Sequence, residues 1–120
     1  MTSFVDGILA RIEVSSIADA LPTYQTLTGS DDARFLEFPD FRIAIVGPFM
    51  LMEGPAEVLA NYRRSATVIV NDVAAATDAF VNKGGEVVDG PVDSGGGSRV
   101  IVKDRDGNAF ELYQPAPGPH

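Results

Sequence analysis

Apolar and other residues alternate along residues 7–14, with Ile8, Ala10, Ile12 and Val14 on one side and Leu9, Arg11 and Glu13 on the other, which predicts a strand. Ile17, Ala20, Leu21, Tyr24 and Leu27 then keep helical spacing until Gly29 stops them. Ser16 or Asp19 caps that helix, and Pro22 falls in or near its first turn if Asp19 is the cap. Residues 35–38, 41–46 and 49–53 read as three strands, separated by a turn at Pro39-Asp40 and a break at Gly47-Pro48. The order is βαβββ. Residues 54–65 supply a short helical turn and a linker, and the same order then returns. Residues 66–70 are strand-like, Asp72 caps a helix carrying Val73, Ala76 and Phe80, and Gly84-Gly85 ends it. Residues 86–88 form a strand and residues 89–97 a mobile connection before the closing pair of strands.

That closing stretch, residues 99–113, has explicit turn chemistry. Gly107 accepts positive φ without a Cβ penalty, Asn108 tolerates it, and the aspartates around it can cap backbone N–H groups, so a hairpin is expected. Val100 and Val102 oppose Arg99, Ile101 and Lys103 on the entering strand; Phe110 and Leu112 oppose Ala109, Glu111 and Tyr113 on the leaving strand. One face is core, and the other carries a carboxylate. The repeat of element order has local echoes, Val14-Ser15-Ser16-Ile17 against Val70-Asn71-Asp72-Val73.

The hairpin and the repeat together resemble the vicinal oxygen chelate superfamily, which includes glyoxalase I, bleomycin-resistance proteins, fosfomycin-resistance enzymes and extradiol dioxygenases. The family hairpin usually reads Asp-Pro-Asp-Gly-Asn followed by a strand ending in Glu-Leu or Glu-Phe. Here Arg105 stands where the proline would be, and the rest matches. The resemblance implies an α+β fold of two βαβββ modules forming a curved, cup-shaped sheet, the glyoxalase/bleomycin-resistance fold, commonly completed by a second chain as a homodimer. Module 1 would span about residues 7–54, a linker about 55–64, module 2 about 65–114 and a disordered tail 115–120, all within a single domain of 120 residues.

Charge and composition narrow the partners. A net charge of -8 and scattered basic residues, with Arg63-Arg64 the only adjacent pair, argue against nucleic acid as a partner. With no cysteine there is no disulfide framework, thiolate metal site or Cys nucleophile. The start of the chain lacks a basic and apolar leader, and no apolar run is long enough to span a membrane, so a soluble, cytoplasmic protein is expected.

In metal-using members of the family each module offers a His, Gln or Glu early in its first strand and a Glu in its last, all facing the cup. Carried over on the two Val-x-x-Ile/Val echoes, the first-strand positions are Leu9 and Ser65, and the last-strand positions Leu51 and Glu111. One carboxylate cannot replace a cation's hydration shell, so no metal or other cofactor is expected. A shifted site of Glu13, Glu53 and Glu111 would be the route to a divalent metal such as Mg or Mn. His120, the sole histidine, belongs to the tail.

The alternation puts Leu9, Arg11, Glu13, Phe49, Leu51 and Glu53 of module 1, and Thr67, Ile69, Arg99, Ile101, Glu111 and Tyr113 of module 2, toward the cup; without the apolar Leu9, Ile69 and Ile101, which line it, the rest are the candidate ligand-binding residues. Glu111 and an arginine would be polar anchors for a small molecule resting on Phe49 and Tyr113. The alternative reading of the same pair is structural, with Arg11 or Arg99 neutralising a partly buried Glu111. Without a close arginine, a desolvated Glu111 would become the candidate catalytic base. Two functions stay open: a metal-free small-molecule-binding protein, and an enzyme of the superfamily, whether metal-dependent or using Glu111.

Overall fold

The computed structural model of the protein describes residues 3–62, 66–94 and 96–116. It contains eight strands in the expected α+β order, two βαβββ modules. The first module runs β1 (Val5–Glu13), α1 (Ile17–Thr28), β2 (Arg34–Glu37), β3 (Arg42–Val46) and β4 (Phe49–Glu53). A short helix, α2 (Ala56–Leu59), and a 3-10 turn at Ala60–Tyr62 follow. The second module runs β5 (Ala66–Val70), α3 (Val73–Asn82), β6 (Glu86–Ser94), β7 (Gly97–Lys103) and β8 (Ala109–Pro115). Two compact units result: described residues within 9–63 form one, and those within 1–8 and 64–120 form the other, so the boundary falls inside β1.

Each module closes the same way. The first strand pairs parallel with the last, β1 with β4 and β5 with β8, and the remaining strands continue outward antiparallel, giving β2-β3-β4-β1 and β5-β8-β7-β6. Ser16 is the cap of α1: its hydroxyl accepts the Asp19 N–H at 3.2 Å. Pro22 therefore lies inside the helix rather than in its first turn, and Gly29 ends it at φ 69°. Asp72 caps α3 by accepting the Ala75 N–H at 3.0 Å.

The second sheet packs Val100, Val102, Leu112 and Val70 against Val73, Ala76 and Phe80 of α3. In the first module Leu51 and Ala44 pack beneath Ile17 of α1, with Ile12, Val14, Leu21, Tyr24 and Phe49 around them. The opposite side of that sheet is also apolar: Ile43, Met50 and Met52 are buried with Leu59 of α2, against Leu9, Phe41 and Tyr62. Burial of this apolar area is the main stabilising term in both units.

One connection differs from expectation. Residues 89–94 are not a mobile loop but the second half of β6, paired with β7 through Asp89↔Ile101, Val92↔Arg99 and Asp93↔Ser98. Two register shifts, between Val87 and Asp89 and between Asp89 and Val92, absorb Gly90-Pro91, whose peptide bond is cis. A proline within a run argues against a strand, but a bulge at the outer edge of a sheet removes the conflict.

Candidate functional site

The face of the second sheet away from α3 carries a block of six residues in register. Thr67, Glu111 and Ile101 lie side by side across β5, β8 and β7, and Ile69, Tyr113 and Arg99 form the next row. Alternation puts them here because Val68, Val70, Val100, Val102, Phe110 and Leu112 take the α3 side. Glu111 is the centre of the block. One carboxylate oxygen accepts the Thr67 hydroxyl at 3.1 Å, and the other lies 3.6 Å from Arg99 Nη1, diagonally across the strand pair. The Glu111 side chain is 16% exposed and that of Arg99 41%, so the carboxylate is substantially sheltered while its partner reaches solvent. Tyr113 donates its hydroxyl proton to the Gly96 carbonyl, which fixes the ring beside Arg99. The condition for Glu111 to act as an arginine-free base is therefore not met; Arg99 supplies the neighbouring charge.

The first module presents a different surface. The strand pairing makes Arg11, Met50 and Ile45 the counterparts of Thr67, Glu111 and Ile101, because Arg11↔Met50 occupies the place of Thr67↔Glu111. The last-strand family position is accordingly Met50, not Leu51, which corresponds to Leu112. Leu51 has no exposed area and lies under α1, and Phe49 stacks at 5.0 Å on Tyr24 in the same layer. Glu53 also turns to that side: its Oε1 accepts the Ile17 N–H at 2.7 Å, which ties the start of α1 to β4. Phe49, Leu51 and Glu53 were thus expected on the wrong face. The reason is physical: residues 49–52 are apolar throughout, so nothing in the alternation distinguishes one register from the next. The residues missed by that choice are Met50 and Met52, and the pairing of Glu53 with α1 has a repeat in module 2 that would have exposed it. There Gln114 Oε1 accepts the Val73 N–H at 2.8 Å. Arg11 places its guanidinium 3.3 Å from the Met52 sulfur, and Glu13 lies opposite Met52 at the end of β1.

The metal positions implied by the superfamily can be tested on these side chains. Leu9 and Met50 offer no hard donor, and Met50 is packed into the apolar layer over α2. Glu111 is engaged by Thr67 and Arg99. Ser65 and His120, like Arg63-Arg64, lie outside the described residues. Among the described residues no three His, Cys, Asp or Glu side chains converge, and Glu53 of the alternative acidic set is spent on α1. The donor set among the described residues does not fit a divalent metal.

No helix among the described residues is long and apolar enough to cross a membrane. No curated protein matches the chain in sequence. Solved structures match its fold. An uncharacterized protein from Methanosarcina mazei superposes with a TM-score of 0.90 at 24% identity over 97% of each chain. A methylmalonyl-CoA epimerase from Mycobacterium tuberculosis gives 0.70 at 20% identity, over 98% of this chain and 93% of that one. A hypothetical protein from Bacillus halodurans gives 0.65 at 20% identity, over 97% and 96%. At these identities the likeness establishes the fold alone. The family model of the Glyoxalase/Bleomycin resistance protein/Dioxygenase superfamily matches residues 48–112, more than half of the sequence and including the closing hairpin, and the chain belongs to that superfamily.

Proposed function

We propose that the protein binds a small molecule on the face of the second module away from α3, with Glu111 as the polar anchor, and that it does so as a metal-free homodimer. The observation that carries this reading is the state of Glu111. Thr67 and Arg99 engage one direction on each oxygen, and a carboxylate offers about four acceptor directions, so roughly half remain for a ligand. Ile69 and Tyr113, both half-buried, offer apolar and aromatic area beside it over a buried Ile101, and the acidic chain favours a ligand carrying positive charge. An aromatic cation meets all three conditions.

The test is a thermal-melt screen of aromatic cations and their neutral isosteres, repeated on Glu111→Gln. The amide keeps the shape of the side chain, so the variant folds, and the cation-induced shift shrinks in proportion to a lost charge-assisted hydrogen bond, roughly 1.5–3 kcal/mol of binding. A variant that melts several degrees lower yet keeps the full ligand-induced shift would show the Glu111–Arg99 pair to be purely structural. Elemental analysis of protein purified without chelators is the second arm. One equivalent of Zn, Ni, Fe or Mn per chain, removable with loss of an activity, would replace the binding reading with an enzyme.

A further inference from the structure

The second unit also has a cavity of about 390 Å³ on its helix side, away from Glu111, and it is large enough for a small ligand. Its walls are apolar: Val68 and Leu112 from the sheet, Ala79 and Phe80 from α3, and Phe4 and Val5 from the amino-terminal segment. The last two are 37% and 48% exposed, an arrangement that leaves apolar surface facing an opening rather than the core. The amino-terminal wall is held in place. Asn71 donates its backbone N–H to the Phe4 carbonyl at 3.0 Å, and its side-chain amide to the Ser3 carbonyl at 3.1 Å and to Asp6 at 3.3 Å.

Charge at the mouth says what would enter. Lys83, just past α3, and Arg105, in the closing turn, both border the cavity, and neither forms an ion pair among the described residues. Gly84, at φ 103°, lets Arg105 lie close over the backbone: a Cβ there would stand 2.9 Å from Arg105 Nη2. The single acid on the lining, Asp104, faces inward to its own turn, accepting the Asp106 N–H, the Asn108 N–H and the Asn108 side-chain amide, each at 2.9 Å. Two cations without an ion-pair partner among the described residues therefore stand at the rim of an apolar hollow, against one ionised carboxylate whose oxygens are turned to the donors of its own turn.

We infer that this cavity is a second binding site, distinct from the Glu111 face, for an amphipathic carboxylate: an unbranched hydrocarbon chain seated on Val68, Phe80 and Leu112, with its anionic head between Lys83 and Arg105. The apolar walls supply affinity in proportion to the area they remove from water, and the guanidinium supplies a planar two-point contact for the carboxylate.

Titration of the ¹⁵N-labelled full chain with monomeric decanoate, and separately with decyltrimethylammonium, tests it by two-dimensional NMR. Decanoate should shift the amide signals of Phe4, Ala79, Phe80 and Arg105 saturably, leave those of Thr67 and Glu111 in place, and bind at least ten-fold more tightly than the cation of equal chain length. The double variant Lys83→Gln, Arg105→Gln should weaken decanoate about ten-fold or more; both side chains are exposed, so the fold is retained. Equal affinity for the two amphiphiles, an unchanged affinity in the double variant, shifts confined to the Glu111 face, or no saturable shift would each overturn the inference. Whether Glu111 anchors an aromatic cation is read separately, from the melts of Glu111→Gln, and loss of decanoate binding at the helix-side cavity leaves that reading standing.

Discussion

Asp104 organises the closing turn through its carboxylate. The Asn108 side-chain amide and then the Asn108 backbone N–H hold its carboxyl below the ordinary aspartate range; desolvation opposes them, and the backbone N–H groups of Asp106 and Gly107 add to the lowering. A group whose folded-state pKa is depressed contributes stability that is fully present above its unfolded pKa and is lost as pH falls through the folded value. Wild-type protein is therefore expected to melt higher than Asp104→Ala at neutral pH, with the gap narrowing in acid, on scans across that window. A gap independent of pH would mean that the turn needs only the Gly107 backbone, which sits at φ 93°. At this scale the sequence was most readable where chemistry is local, as in Asp-Gly-Asn and in Glu111 alternating with Phe110 and Leu112. It was least readable at Met50 and Leu51. Both are apolar and both are buried, one against α2 and the other against α1, so their hydropathy carries no information about which way each faces.

Between elements, the decisive contacts join the last strand of each module to the start of its helix. Glu53 accepts from the Ile17 N–H and Gln114 from the Val73 N–H, satisfying backbone donors that the Ser16 and Asp72 caps leave over. Glu53 adds a negative charge at the positive end of α1. Removing either side chain by Glu53→Ala or Gln114→Ala should cost about 0.5–2 kcal/mol, the usual loss for a helix cap, while Glu53→Gln should recover most of it. Denaturant titration measures this directly. If Glu53→Ala leaves stability unchanged but abolishes ligand binding, Glu53 belongs to a site after all. The helices and most strands were legible from spacing and caps. The second half of β6 was not, because Gly90-Pro91 reads locally as a break while the pairing that keeps it a strand is supplied by β7, a partner the local sequence does not reveal.

For the whole molecule, the proposed homodimer follows from what the sheets leave uncovered. β2 and β6 are the outer strands of their modules' strand orders, and Phe35 on β2 is 59% exposed, with Val87, Val88 and Val92 on β6 at 42%, 55% and 38%. Exposed apolar edges of this kind are usually paired or covered. Light scattering at micromolar concentration should return twice the 12.7 kDa chain mass, and a single chain's mass would count against self-association. The hold of Asn71 on Ser3, across 68 residues of sequence, has another consequence. Synthesis delivers Ser3–Asp6 well before Asn71 and the other residues with which they form one unit. During synthesis the opening segment must wait, with Phe4 and Val5 unsheltered, until the strand ending at Val70 emerges. A bulky fusion at the amino terminus would then burden the late-folding half, whereas the same fusion at the carboxyl terminus would leave that docking step alone.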